Sequence, residues 1–383
     1  MHANVRLKFK RTLSNLALMF LTLAFAFAAG EIIVRLLYKK QTVLFPRYHT
    51  DYQYGRYTIR GIRPNADFWH TSVDGTWQFV TNSKGFRNTK EFTYQKPANT
   101  LRVLSLGDSN TQGHEVRQNL TFSATLERFL NHHKPPAEVI NTGASGFSNA
   151  EELVLLENEG FKYNPDVVVL AFFANDYEDN ARSGLFALDS QNHLIETKYE
   201  HIPGVSIQNF IYRIPFVQWL SENSYFYSLF FNTTWNYFKL KPSGETVNQA
   251  NASNMPPHTG TNEFEFAVPT SATHSAYQTE LAATLIERMQ RFCTNNGIRF
   301  IVVDIPMMPS LYHFASSMSP ELRTRLDLAH IEYIPSESLL QKFNGTAEMH
   351  VPHGYNHISE FTHTLIGEEL GRRILSSSAN TKQ

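Results

Sequence analysis

Cysteine is nearly absent from this chain of 383 residues, with Cys293 the only one. A lone thiol closes no internal disulfide, so the fold does not depend on an oxidising compartment. Cys293 follows Phe292 on an amphipathic pattern. There it reads as a small buried hydrophobe rather than a catalytic thiol. An excess of one charge is missing too. Lys and Arg number 34 against 35 Asp and Glu, a net charge of −1. The isoelectric point is near 7.0. That balance leaves no electrostatic footprint for nucleic acid. No internal repeat is present, which removes the solenoid architectures. What remains is a chain with 42% hydrophobic residues. That is enough for one large globular domain with accessory elements.

The N-terminus has the form of a targeting segment. Arg6, Lys8, Lys10 and Arg11 precede an uncharged run from Leu13 to Gly30. At about 1.5 Å per residue the run spans roughly 27 Å, close to the thickness of a bilayer core. Basic residues ahead of it favour a cytoplasmic N-terminus and place the rest across the membrane. Small residues around Ala24-Phe25-Ala26 and Gly30 also permit cleavage by a signal peptidase, giving a secreted protein. The uncleaved anchor is preferred, because the helical pattern continues through residues 31–37. Glu31 and Arg35, spaced i,i+4 with the acid first, suit a helix leaving the membrane.

Three parts are expected: an anchor over 1–40, a leading segment over 41–98, and a main domain over 99–383. In the leading segment, Asp74 to Val80 reads as a turn into a short strand. From Leu101 strands and helices alternate. Leu101–Leu106, Val139-Ile140, Val167–Phe173 and Ile298–Ile305 read as strands. Helical spacing marks Phe122–Leu130, Leu153–Leu156, Tyr277–Phe292 and Ser359–Leu375. Such alternation implies an α/β fold, a parallel sheet with helices on both faces. A long insertion interrupts it over about 180–272. Its first part, 205–238, is dense in Phe, Tyr, Trp and Leu and reads as packed helices. Its second, 243–272, is polar and aperiodic and reads as a flexible loop.

Four blocks fall where strands end or helices begin. They are Gly107-Asp108-Ser109, then Asn141-Thr142-Gly143-Ala144-Ser145-Gly146-Phe147-Ser148, then Ala174-Asn175-Asp176, and last His357-Ile358-Ser359. In a doubly wound sheet such positions converge on one rim. Together the blocks resemble the SGNH/GDSL hydrolase superfamily, over roughly residues 99–375 outside the insertion. Asn82-Ser83-Lys84-Gly85-Phe86-Arg87 is similar to a lead-in of its membrane-anchored bacterial members. The resemblance implies a flavodoxin-like three-layer α/β/α sandwich. It implies Ser109 as nucleophile and His357 as its base. The backbone N–H groups of Ser109 and Gly146 and the side-chain amide of Asn175 would form the oxyanion hole. No cofactor is implied. The substrate class implied is an acylated cell-envelope carbohydrate, met on the periplasmic or extracellular side of a bacterial inner membrane.

The chain departs from the family at the acid. The usual Asp stands three residues before the His, and here that residue is Gly354. A backbone carbonyl, Glu348 or His353 could hold the His357 ring instead. Asp108 and Asp176 read as structural hydrogen-bonders at strand ends. His350, His353, His357 and His363 are close in sequence, but Pro352 and Gly354 oppose a zinc-binding helix face. Hydrolysis of an acyl ester is the leading expectation. Two alternatives stay open: an O-acyltransferase using the same Ser–His pair, and a non-catalytic carbohydrate-binding or assembly protein with this fold.

Overall fold

The computed structural model describes residues 2–133, 136–197, 204–240, 275–310, 312–354 and 357–380. They fall into two compact units. The larger takes in residues 47–69, 74–213 and the chain from 263 onward. It is built on five parallel strands: β1 (Leu101–Leu106), β2 (Ala137–Asn141), β3 (Val167–Phe172), β4 (Arg299–Asp304) and β5 (Glu332–Ile334). Across the sheet the order is β2-β1-β3-β4-β5. This is the flavodoxin-like order, and its switch point lies between β1 and β3. Val103 sets the register, opposite Val139 on β2 and Val167 on β3. Val169 in turn stands opposite Ile301 on β4.

The unbroken Val-Val-Val-Leu-Ala-Phe run of β3 follows from its position. A central parallel strand is covered on both faces, so it has no need of polar alternation. Successive side chains still alternate between faces. Val103, Val167, Val169, Ala171, Ile301 and Val303 face one layer, with Phe122, Leu126, Leu130, Ile366, Leu370 and Ile374. Those last residues belong to the Phe122–His133 and Glu360–Asn380 helices, which pack on each other. The other layer holds the Ala276–Asn295 helix with Asn149–Asn158, Asp176–Ser183 and Pro320–Leu328 around it. Ser275 starts the Ala276–Asn295 helix with a capping box through Gln278. Cys293 is fully buried on that helix, and burial pushes its thiol up to about 12. His132 and His133 end the Phe122–His133 helix, exposed.

An antiparallel hairpin, His49–Tyr54 with Tyr57–Ile62, also belongs to this unit. Within the insertion, Phe186–Leu188 and Leu194–Glu196 form a second small hairpin. The Gly204–Tyr212 helix follows it. The loop expected over 243–272 lies outside the described residues.

The smaller unit contains the N-terminal helix His2–Leu37 and the Val217–Asn223 and Tyr225–Leu240 helices. Over Phe9–Leu37 the first helix is long and apolar enough to cross a membrane. Glu31 and Arg35 form the expected ion pair. Glu31 does more than that. Its carboxylate accepts from Ser224 Oγ at 2.7 Å and from the Tyr225 and Phe226 N–H groups at 3.1 and 3.0 Å. It therefore caps the N-terminus of the Tyr225–Leu240 helix, where a negative charge is favoured.

Candidate active site

β1 ends in Gly107, whose φ of 153° and crowding by Thr111 exclude a side chain. Asp108 then caps the short Ser109–Gln112 helix, its Oδ1 accepting from Asn110 N–H at 2.8 Å. Strand, glycine and cap together leave Ser109 on the helix's first residue, at the carboxyl end of the sheet. The second block is tied to this turn. Ala144 N–H donates to the Gly107 carbonyl at 3.1 Å, and Ser145 N–H to Gln112 Oε1 at 3.0 Å. The fourth block is tied to it as well, since Ile358 N–H donates to Asn110 Oδ1 at 3.2 Å.

These ties bring Ser109 and His357 together across 248 residues of chain, with Ser109 Oγ 2.9 Å from His357 Nε2. On the other side of the ring, Nδ1 meets the Gly354 carbonyl. An acceptor there leaves Nδ1 carrying the proton and Nε2 free to accept one. His357 is only 4% exposed. Burial lowers its pKa to about 4, against the opposing pull of the Gly354 carbonyl. The imidazole is therefore neutral at pH 7, the state a base needs.

The carbonyl answers the question raised by the missing aspartate. Neither side chain expected to hold the ring does so. His353 turns away, its N–H and Nδ1 both bound to the Asp74 carboxylate at 2.9 and 2.6 Å. Glu348 meets the last helix through its backbone, where its carbonyl accepts from Ser359 Oγ. Gly354 N–H donates to the Val351 carbonyl at 3.2 Å, and its own carbonyl meets the ring, so no side chain has to reach. The four clustered histidines also have separate partners. His350 Nε2 meets the Pro306 carbonyl at 3.0 Å, and His363 Nδ1 accepts from Phe122 N–H at 3.0 Å.

Gly146 sits at φ 76°, a conformation open to glycine, and its carbonyl accepts from the Arg60 guanidinium. Gly143 N–H is already engaged by Asn141 Oδ1 at 3.0 Å. Asn175 precedes the Asp176–Ser183 helix and donates from Nδ2 to Asp179 Oδ2 at 3.0 Å. Behind the nucleophile the carboxyl groups are buried, and burial raises their pKa values. Asp108 is pushed to about 6. Asp176 and Glu152 rise further, each aided by its acidic neighbours. Asp176 also has the structural task expected of it, accepting from Phe173 N–H at 2.9 Å.

Several residues escaped the sequence reading. Arg60 gave no local signal, since it meets Gly146 only in the fold; a backbone carbonyl was among the expected holders of the His357 ring, and the fold supplies that of Gly354. Asn110 had a local signal: it adjoins Ser109, in a Gly-Asp-Ser-Asn turn. Arg87 had another, in the lead-in. Its buried guanidinium donates to the carbonyls of Gln112 at 2.8 Å, Val116 at 2.8 Å, and Gly113. It thus closes the C-terminal end of the nucleophile's helix.

No protein-family model and no curated protein matches the chain. Solved structures do. One is a two-domain esterase active on acetylated mannans, 10% identical, with a TM-score of 0.38. That match covers 72% of this chain and 49% of the esterase, so the chain spans about half of that protein. Another is a lipase/acylhydrolase from Enterococcus faecalis, 13% identical, TM-score 0.37, covering 72% of this chain and 95% of that one. A third, from Desulfitobacterium hafniense, is described as a lipolytic protein of the G-D-S-L family. It is 13% identical with a TM-score of 0.36, covering 71% of this chain and 98% of that one. This chain is similar to the SGNH/GDSL hydrolases. Its likeness rests on the four blocks, the strand order and the Ser–His contact. Of the residues in the four blocks, Ser109 and His357 are in contact, and the pattern departs at Gly354.

Proposed function

We propose that the chain is a serine-dependent acyl-ester hydrolase. The observation that carries this is the 2.9 Å contact between Ser109 Oγ and the buried His357 Nε2. His357 takes the Ser109 proton as Oγ attacks the ester carbonyl carbon. The oxyanion that forms is met by the Ser109 and Gly146 N–H groups and one N–H of Asn175. Each such donor is worth about 3 kcal/mol in the transition state. His357 then protonates the leaving alcohol, and an acyl-serine remains. A water, deprotonated by the same imidazole, releases the acid and restores Ser109. The amide of Asn175 carries two N–H groups, so it can hold Asp179 with one and serve the oxyanion with the other.

The substrate we infer is an acylated carbohydrate of the cell envelope. The segment Phe9–Leu37 anchors the chain in a bacterial inner membrane with the site on the periplasmic side. The charge order of residues 6–11 supports that orientation. The test is turnover of p-nitrophenyl acetate by the full chain, with Ser109→Ala and His357→Ala beside it. Both variants are expected to lose at least about 10³-fold in kcat. Equal rates in all three would sink the hydrolase reading.

A further inference from the structure

A Ser–His pair needs something to favour the imidazolium that forms when the base takes its proton. In this chain the Gly354 carbonyl fixes the tautomer, but it carries no net charge. A carboxyl group stands beside it. A Cβ built on Gly354 would lie 2.3 Å from Glu115 Oε2. An aspartate's own carboxylate oxygens lie at about that distance from its Cβ, by ordinary covalent geometry. Glu115 thus brings a carboxylate oxygen to the range at which the missing aspartate would carry one. It arrives from elsewhere in the chain, from the turn after the Ser109–Gln112 helix.

That turn is built for the purpose in two further ways. Glu115 is buried, 7% exposed, and held at φ 56°. The left-handed region is unfavourable for a residue with a side chain. Its neighbour His114 lays its ring against His357, centroids 4.5 Å apart. Two successive residues therefore brace the base loop, one by ring contact and one by carboxylate. An aspartate at 354 would have to displace Glu115 and would press on Val351 at 2.9 Å. The glycine and the glutamate fit each other.

We propose that Glu115 is the acid of this site, a positioning residue whose carboxylate, seated against Gly354, does the work of the absent aspartate. It touches no substrate. It steadies the loop that carries His357 and opposes the positive charge the ring acquires. The proposal rests on the Ser109–His357 reading above. Glu115 lines a cleft of about 680 Å³. The charged and titratable groups sharing its walls are Asp74, Arg117, Glu348, His350 and Glu360. Arg117 is paired with Glu360 at 2.5 Å, and Asp74 with His353.

The experiment uses the full chain with Glu115→Gln, Glu115→Ala and Ser109→Ala. Turnover and the NMR titration of His357 are both followed. In Glu115→Gln we expect kcat to fall about 10- to 100-fold with KM nearly unchanged, the scale of a misplaced catalytic group. The His357 midpoint should fall with it. In Glu115→Ala, formate should raise turnover in a saturable way. Unchanged kcat, or a loss of kcat with the His357 midpoint unmoved and no formate effect, would overturn the proposal. Turnover that survives Ser109→Ala would strike the hydrolase reading instead, and the His357 midpoint would still decide the role of Glu115.

Discussion

Ser109 gains its reactivity from a neutral base within reach, and burial is what keeps His357 neutral. The sign of the pH dependence follows. Folding lowers the His357 pKa from 6.5 to about 4. The protonated ring accepts nothing from Ser109, so activity is present above about 4 and lost as pH falls through it. The acid limb of kcat/KM reports this group in the free enzyme. It should therefore lie near 4, and an acid limb near 6.5 would contradict the buried base. Asn175 gives a second outcome at this scale. Asn175→Ala removes one oxyanion donor and should lower kcat by about 10²–10³ with little change in KM. An unchanged kcat would take Asn175 out of the hole and leave it as the partner of Asp179. Ser109 and His357, which meet in the structure, were legible in the sequence because each is marked by its immediate neighbours. The support of His357 was legible only in part, since a backbone carbonyl was one of three expected holders of its ring. It depends on a main-chain carbonyl and on Glu115, which lies 239 positions before Gly354 in the numbering.

Elements deliver these residues. Each block follows a strand or opens a helix, and hydrogen bonds tie the second and fourth blocks to the nucleophile's turn. The alternation of strands and helices was readable because buried parallel strands are continuous apolar runs. The short β5 strand was missed for the opposite reason. Glu332-Tyr333-Ile334 is too brief and too polar to announce an edge strand. Arg87 shows how a motif outside the site can still control it. Its guanidinium is buried among three carbonyls at the end of the nucleophile's helix. Replacing it with Met leaves those acceptors without their charged donor. Arg87→Met should cost about 3 kcal/mol or more of stability, read as a clear fall in Tm. A Tm equal to that of the unaltered chain would show that the lead-in has no such role.

At the scale of the molecule, a helix able to span a membrane belongs to one compact unit and the Ser–His site to the other. The continuation of the first helix through Glu31 and Arg35 was visible in the charge spacing. The cap that Glu31 forms on the Tyr225–Leu240 helix was not, because its partners lie over 190 residues away. Cleavage near Gly30 would sever this helix just before Glu31. The anchor reading therefore expects the protein recovered from membranes to keep its N-terminal helix, read by intact mass. A mass beginning after Gly30 would make it a secreted protein. Trapping tests whether Ser109 is the nucleophile. The full chain is treated with a serine-directed fluorophosphonate and the modified peptide is sequenced. The account predicts one adduct, on Ser109, that is lost in His357→Ala. Labelling elsewhere, or at equal rate in His357→Ala, would contradict it.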